Sequence, residues 1–544
     1  MIARCLKAPH QKMKNNAHIK NLFKHAVIYG GAGILSKAIG FIMLPIYSHQ
    51  LQAEGYGVIG MIDTVLQLLT LVIGYGISGA MSRFYYETDD ARQRQLIVST
   101  TITLMFFLVG AVTLPVLLFS KQVAYLAFGR SDWAHYIVLA IFAFMANMTS
   151  RNSENYILIL QKSLFLSIVS LIRLIFGLAL NIYFIVLLKM GVLGYLYASL
   201  IEAVAYTLFS HIYAFAKVGF GYDRRIARQV LGYSLPMLPG YIAMFIRGNA
   251  DRVILRTYLG LATVGVFEVL FKFATLIGFF VVEPFSKIWQ VKRFEVCDLE
   301  NGPDLLARVF TYHMAVMLLV GLFFSLEIPV AMRLMTPKEF WLSGFIVFFA
   351  VMARVLNGAY YHLFFGLLYA KKTFKISLLQ AATAMVSLAL TYPLIRFYGM
   401  PGAVVASLLS ALFQCALGFF MARSYYYVPF EWKAVSSMAM LAIGLFWFAK
   451  DFSLADTWIG PWIEMRLAPL VRSALVLLSL DQFKNGKLIS YLVDGLTNVC
   501  DGLALACYCM LFVVGLVFLR VLPAGMVGRL FRFSTLRNPA RIFS

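Results

Sequence analysis

The chain reads as an all-α integral membrane protein of about 14 transmembrane helices, set as two pseudo-symmetric six-helix lobes in a parallel repeat, with two further helices at the C-terminus. Three observations predict this class. The 544 residues are 61% apolar and 13% charged, with a mean hydropathy of +0.80, which excludes a soluble enzyme, a disordered chain and a disulfide scaffold. The apolar residues come in runs long enough to cross a bilayer core of about 30 Å as helix, not in the short alternating strands of a barrel. The chain also resembles itself at a fixed offset.

Taken in order, the first six runs cover 26–47, 57–82, 97–120, 133–160, 163–188 and 191–216. A second six follow a basic loop: 230–257, 264–286, 309–332, 341–369, 376–395 and 399–422. Runs at 434–449 and 503–519 close the chain, and 450–502, apolar over Leu467–Leu480 but too short there to span, reads as an outer loop with an interfacial helix. The corresponding divisions are a basic N-terminus (1–25), a first lobe (26–218), a basic linker (219–229), a second lobe (230–424) and a C-terminal pair of spans (425–544). Lys and Arg test this map. The segments on the N-terminal side hold 29 of them and the short loops opposite hold 7, which places both termini in the cytoplasm. The N-terminal segment has no acidic residue before Glu54, yet its apolar run is too long for a signal peptide and no small-residue cleavage site follows, so it reads as a cytoplasmic anchor; Met13 is a second candidate start. The formal net charge of +22 needs no nucleic-acid partner, because this topology and anionic lipid account for it. The six cysteines, Cys5, Cys297, Cys415, Cys500, Cys507 and Cys509, form no CxxC pair and are expected as free thiols.

The repeat shows in two places. Leu51, Ala53, Gly57 and Val58 reappear as Leu259, Leu261, Gly265 and Val266, and Gly191-Val-Leu-Gly194 with Ala198-Ser-Leu200 reappears as Gly399-Met-Pro-Gly402 with Ala406-Ser-Leu408. Both pairs stand 208 residues apart, at the two ends of a six-span block. Six is even, so the copies share one membrane orientation, as in transporters whose halves rock about an axis along the membrane normal.

Ionisable residues inside spans cost about 2.5 to 3.5 kcal/mol each on an insertion scale, so they mark function or pairing. Lys37, Arg173, Arg247, Arg252, Lys272 and Arg354 lie within runs. At helical spacing Lys37 shares a face with Gly30, Gly33 and Gly40, Arg173 with Ser163, Ser167, Ser170, Gly177 and Asn181, and Arg354 with Asn357, Gly358 and Tyr361. Lys37, Arg173, Arg247, Lys272 and Arg354 are therefore candidates for binding an anionic headgroup, above all a phosphate or pyrophosphate. The structural alternatives stand beside them: Arg247 with Asp251, and Glu268 with Lys272, have the spacing of same-helix ion pairs, and Arg252 and Arg256 have the position to snorkel. Asp63, Glu202 and Glu268 are candidates for coupling to a proton or cation, with Asp63 equally suited to pair with Lys37. His211 and His362 are weaker candidates for the same role. No phosphate loop, H-E-x-x-H or G-x-S-x-G motif occurs, so neither an enzyme nor a cofactor is expected.

Two stretches carry a family resemblance. Phe23 to Glu54, with Gly30, Gly33, Pro45, Leu51 and Glu54-Gly-Tyr-Gly57, and the run from Ser234-Leu-Pro236 through Asn249, Asp251-Arg252 and Leu255, resemble Wzx-like polysaccharide flippases of the multidrug/oligosaccharidyl-lipid/polysaccharide exporter superfamily. The resemblance covers roughly 20–424. It implies a V-shaped pair of six-helix bundles with two trailing helices, in a bacterial inner membrane. It implies ion-coupled export, by H+ or Na+, of an undecaprenyl-pyrophosphate-linked oligosaccharide, with polysaccharide polymerase and chain-length proteins as partners. The alternatives are a flippase for the lipid-linked peptidoglycan precursor, a cation-coupled drug exporter, whose cationic substrates fit six intramembrane bases poorly, and a membrane polysaccharide polymerase or ligase, which would need a large outer catalytic loop.

Overall fold

The computed structural model describes residues 40, 41, 43–234, 238–449 and 512. Lys37, the first run up to residue 39, the 450–502 segment and the last run apart from residue 512 lie outside the described residues, as do Cys5, Cys500, Cys507 and Cys509. By its contacts the chain divides into two compact units, Met1–Ile242 and Ala243–Ser544.

The first unit holds α1 (Leu44–Glu87), α2 (Ala91–Leu118), α3 (Ser120–Phe128), α4 (Ala134–Ile159), α5 (Ser163–Asn181), which runs into a π turn at Ile182–Leu187, α6 (Gly191–Val218) and α7 (Arg224–Ser234). Hydrophobic matching in a bilayer does not by itself hold helices together, so small and polar residues do. Ser78 on α1 donates to Asn152 Oδ1 on α4 at 2.8 Å, Asn152 Nδ2 donates to the Thr101 carbonyl on α2 at 3.0 Å, and Asn155 Nδ2 reaches back to Ser78 and Ser82. The basic linker is itself largely helix. Asp223 caps α7 by accepting from the backbone of Arg225 and Ile226, and α7 packs Ile226, Ala227 and Val230 inward while Arg224, Arg225 and Arg228 stay exposed. Its last residue meets α1 where Gly76 has no side chain: a Cβ there would lie 2.8 Å from Ser234.

α8 (Leu238–Leu259) leads into the second unit, followed by α9 (Leu261–Ala274), a π turn at Gly278–Val282, α10 (Glu283–Val296), α11 (Gly302–Met335), α12 (Gly344–Leu363), α13 (Phe365–Tyr369), α14 (Thr373–Tyr398), α15 (Met400–Ala422) and α16 (Trp432–Ala449). Gly358 lets α11 and α12 approach, since a Cβ there would stand 2.5 Å from Met317 Sδ. Gly402 does the same where α14 meets α15, with the Leu394 carbonyl 2.0 Å from the missing Cβ. Cys297 and Cys415 are free and buried, as expected.

Ten helices among the described residues are long and apolar enough to cross a membrane. Boundaries differ from the sequence reading: α1 runs through the loop expected at 48–56, and the run 341–369 is divided between α12 and α13. The run 264–286 continues as helix to Val296, so Lys287, Lys292 and Arg293 are not in a loop. Arg293 is 5% exposed, packed against the rings of Tyr361 and Phe365. Over the run 230–257 the described helices are α7, to Ser234, and α8, from Leu238.

The internal repeat is written in the backbone. Left-handed residues stand at corresponding places: Gln52 (φ 56°), within α1, matches Gly260 (φ 84°), Gln161 (φ 57°) matches Lys371 (φ 56°), and Gly191 (φ 58°) matches Gly399 (φ 65°). The residues that follow Gln161 and Lys371 agree too, with Lys162 at φ −84°, ψ 57° and Lys372 at φ −85°, ψ 60°.

Candidate functional site

In the first unit, α5 crosses α6 at Gly177, whose missing side chain makes room for Glu202. One turn earlier, Arg173 Nε donates to Glu202 Oε1 and its Nη2 donates to Asn147 Oδ1 on α4 at 2.6 Å, while the guanidinium lies 4.1 Å from the centre of the Tyr206 ring. The pair is only partly covered, with side chains 29% and 19% exposed. Arg173, expected as a bare anion ligand, is thus already neutralised. Its partner was out of view because Glu202 sits on another helix. Asp63 and Gln67 are both exposed on α1. His211 has a structural partner in Ser153 at 2.8 Å.

The second unit holds more charge. Arg252 does not snorkel: its side chain is 14% exposed and lies between two carboxylates, Asp251 at 3.1 Å from Nη1 and Glu268 at Nε. The expected same-helix pair of Arg247 with Asp251 does not form, and the ion pair of Glu268 is with Arg252 on α8. Arg247 instead donates through Nη1 to Gln414 Oε1 on α15 at 2.9 Å and Asn357 Oδ1 on α12 at 3.4 Å. Gln414 Nε2 passes the network to Gln380 on α14 at 3.3 Å, and Gln380 Nε2 reaches the Tyr360 hydroxyl at 3.2 Å. Arg354 lies over the Phe271 ring, 4.8 Å from its centre, with its buried Nε unpartnered, and within electrostatic reach of Arg252, Asp251, Arg247 and Glu268. Lys272 is half-buried on α9, one turn beyond Glu268. His362 is hydrogen-bonded to His313 at 2.9 Å.

The charges therefore fall into two kinds. Arg173 and Arg252 are matched by carboxylates. Arg247 and Arg354 are not: among the described residues their partners are amide oxygens and a ring face, which leave the positive charge uncancelled. A guanidinium with no carboxylate hydrogen-bonded to it keeps N–H groups and charge to offer a phosphate oxygen. The two amide families correspond, since Asn147 and Asn357 stand at equivalent positions of α4 and α12, counted back from Gln161 and Lys371. Sequence reasoning missed Gln380 and Gln414. The available signal was a neutral amide in the middle of an apolar span, where an unpaired polar group is costly.

Residues 22–289 match the Polysaccharide biosynthesis protein family. A protein of the Lsg locus of Haemophilus influenzae is 25% identical over 251 residues, which is 45% of this chain and 60% of that protein. A membrane protein of the same organism is 32% identical over 80 residues, covering 15% of this chain and 20% of its own length. The chain thus spans about three fifths and one fifth of the curated relatives it matches. Among solved structures, the lipid II flippase MurJ in an inward closed conformation aligns with a TM-score of 0.64 at 14% identity, over 87% of this chain and 98% of that one. An inward-facing multidrug resistance MATE family transporter of the MOP superfamily aligns with a TM-score of 0.53 at 18% identity, over 73% and 94%. The fold is therefore that of the MOP-superfamily transporters. The family match takes in both stretches that carry the sequence resemblance, Phe23 to Glu54 and Ser234 to Leu255.

Proposed function

We propose that the protein is a flippase for a polyprenyl-pyrophosphate-linked oligosaccharide, a surface-polysaccharide repeat unit, in a bacterial inner membrane with both termini in the cytoplasm. One observation carries the reading: Arg354, on a helix long and apolar enough to cross a membrane, and Arg247, on α8, are both held without a carboxylate hydrogen-bonded to them. Uncancelled charge in a bilayer costs stability and is retained where an anion uses it. The pyrophosphate is bound in the second unit by Arg247 and Arg354, with Lys272 as the third candidate base of that unit. Asp63, Glu202 and Glu268 are the coupling carboxylates. Glu268 is tied to Arg252, so an anion that draws the arginine away frees that carboxylate for a proton or Na+. Ligand and ion must favour different states for binding to drive movement. Catalysis has no part in this, and polymerase and chain-length proteins are the partners that consume the product.

The test is transport of a fluorescent lipid-linked oligosaccharide in proteoliposomes. Arg354→Gln and Arg247→Gln are each expected to slow it about tenfold or more, about 1.4 kcal/mol of lost stabilisation. The thermal midpoint should hold or rise, since an uncompensated buried charge has been removed. Full transport in both variants would end the reading. A collapse of the midpoint would make the arginines structural.

A further inference from the structure

Next to Gly177, residues 169–176 of α5 and 202–209 of α6 line a cavity of about 240 Å³. Its walls are Val169, Ile172 and Phe176 from α5 and Ala205 and Phe209 from α6, and the Arg173–Glu202 pair with Tyr206 forms its polar floor. Phe209 of the wall lies 6.2 Å from the ring of Phe165, which in turn stacks on Tyr213 at 5.1 Å. The span Leu164–Leu187 is the least covered of the ten, with 6% of its apolar window buried, and Ile172 and Phe209 are 61% and 41% exposed at the rim.

Three physical points decide what fills this space. The walls are apolar, and apolar cavities stay dry. The floor carries no net charge, because Arg173 and Glu202 cancel, so an anion has no claim on it without breaking the pair. Arg173 stands ten residues into α5, about 15 Å along the helix at 1.5 Å per residue, in the middle of a hydrocarbon core about 30 Å thick. At that depth phospholipids present acyl chains and not headgroups.

We propose that this cavity is a binding site for one acyl chain of a bilayer phospholipid, which covers the exposed part of the Arg173–Glu202 pair and excludes water from it. The site is independent of the lipid that is transported. Its effect is on the pair, because an ion pair under hydrocarbon is electrostatically tighter than one that water reaches.

The full chain is reconstituted with phosphatidylglycerol carrying a diazirine at mid-chain, irradiated, and the adducts mapped by mass spectrometry. Labelling of 169–176 and 205–209 is expected to exceed that of the exposed α14 face, Phe374 to Met385, about fivefold or more. Ala205→Trp, which fills the cavity, should remove the excess and leave α14 labelling unchanged. Phe209→Ala, which enlarges it, should increase labelling and guards against a misfolded tryptophan variant. Labelling no greater than on α14, or unchanged by both substitutions, overturns the proposal. So does displacement of the label by substoichiometric undecaprenyl phosphate, which would make this a carrier site. Transport measured in the same vesicles separates the two readings, since a protein that moves oligosaccharide without labelling the cavity loses only this site.

Discussion

Arg252 shows how much a single side chain holds in place. Two carboxylates bond to it in a nearly covered setting, so Arg252→Gln leaves two buried charges of one sign. A loss of about 3–5 kcal/mol is expected, read as thermal unfolding of the purified protein. Adding Asp251→Asn and Glu268→Gln should recover most of it, and an unchanged midpoint in the single variant would refute the pairing. The sequence made it clear that these residues lie within spans, but not whom they meet. A helical wheel shows only partners three or four residues away on the same helix, and so it offered Asp251 for Arg247. The actual partners, Gln414 and Asn357, come from α15 and α12, across sequence distances that periodicity does not carry. Glu202 was visible as an intramembrane acid and Arg173 as an intramembrane base. Only packing joined them.

Helix limits were more legible, because apolar length and charge are local properties. The runs at 163–188, 191–216 and 399–422 match α5 with its π turn, α6 and α15 within about two residues, the usual scatter of helix ends. The misses have local causes. α7 was hidden because Arg224, Arg225 and Arg228 mark its first turns as a basic linker, and its N-terminal signal is the single cap Asp223. α10 was hidden because helix continues beyond the apolar stretch. The connections allow a direct test. Gln161 and Lys371 hold left-handed backbone at a cost that glycine avoids, about 1–2 kcal/mol. Gln161→Gly and Lys371→Gly should therefore raise the thermal midpoint, while Gly191→Ala and Gly399→Ala should lower it. Equal responses in all four would mean that the backbone there is not left-handed. Gly402→Ala should be worse than either glycine variant, since its Cβ meets a backbone carbonyl that cannot turn aside.

For the molecule as a whole, the bias of Lys and Arg fixes the expected orientation. Cysteines introduced at exposed Arg225, beside the α7 cap, and at exposed Glu339 should differ in intact cells: an impermeant maleimide should label the second and miss the first. The reverse pattern would invert the topology. The paired left-handed turns also record how two copies of one ancestral block grew apart. Counting between them, the second unit is two residues longer from Gly260 to Lys371 than the first is from Gln52 to Gln161. The first is two residues longer from Gln161 to Gly191 than the second is from Lys371 to Gly399. Each surplus falls where that unit, and not its counterpart, has a π turn: Gly278–Val282 in the second and Ile182–Leu187 in the first. Extra residues gained by a duplicated helix would rotate everything downstream by about 100° each. A widened turn absorbs them locally, so descendants of the duplication could change length while every later side chain kept its bearing.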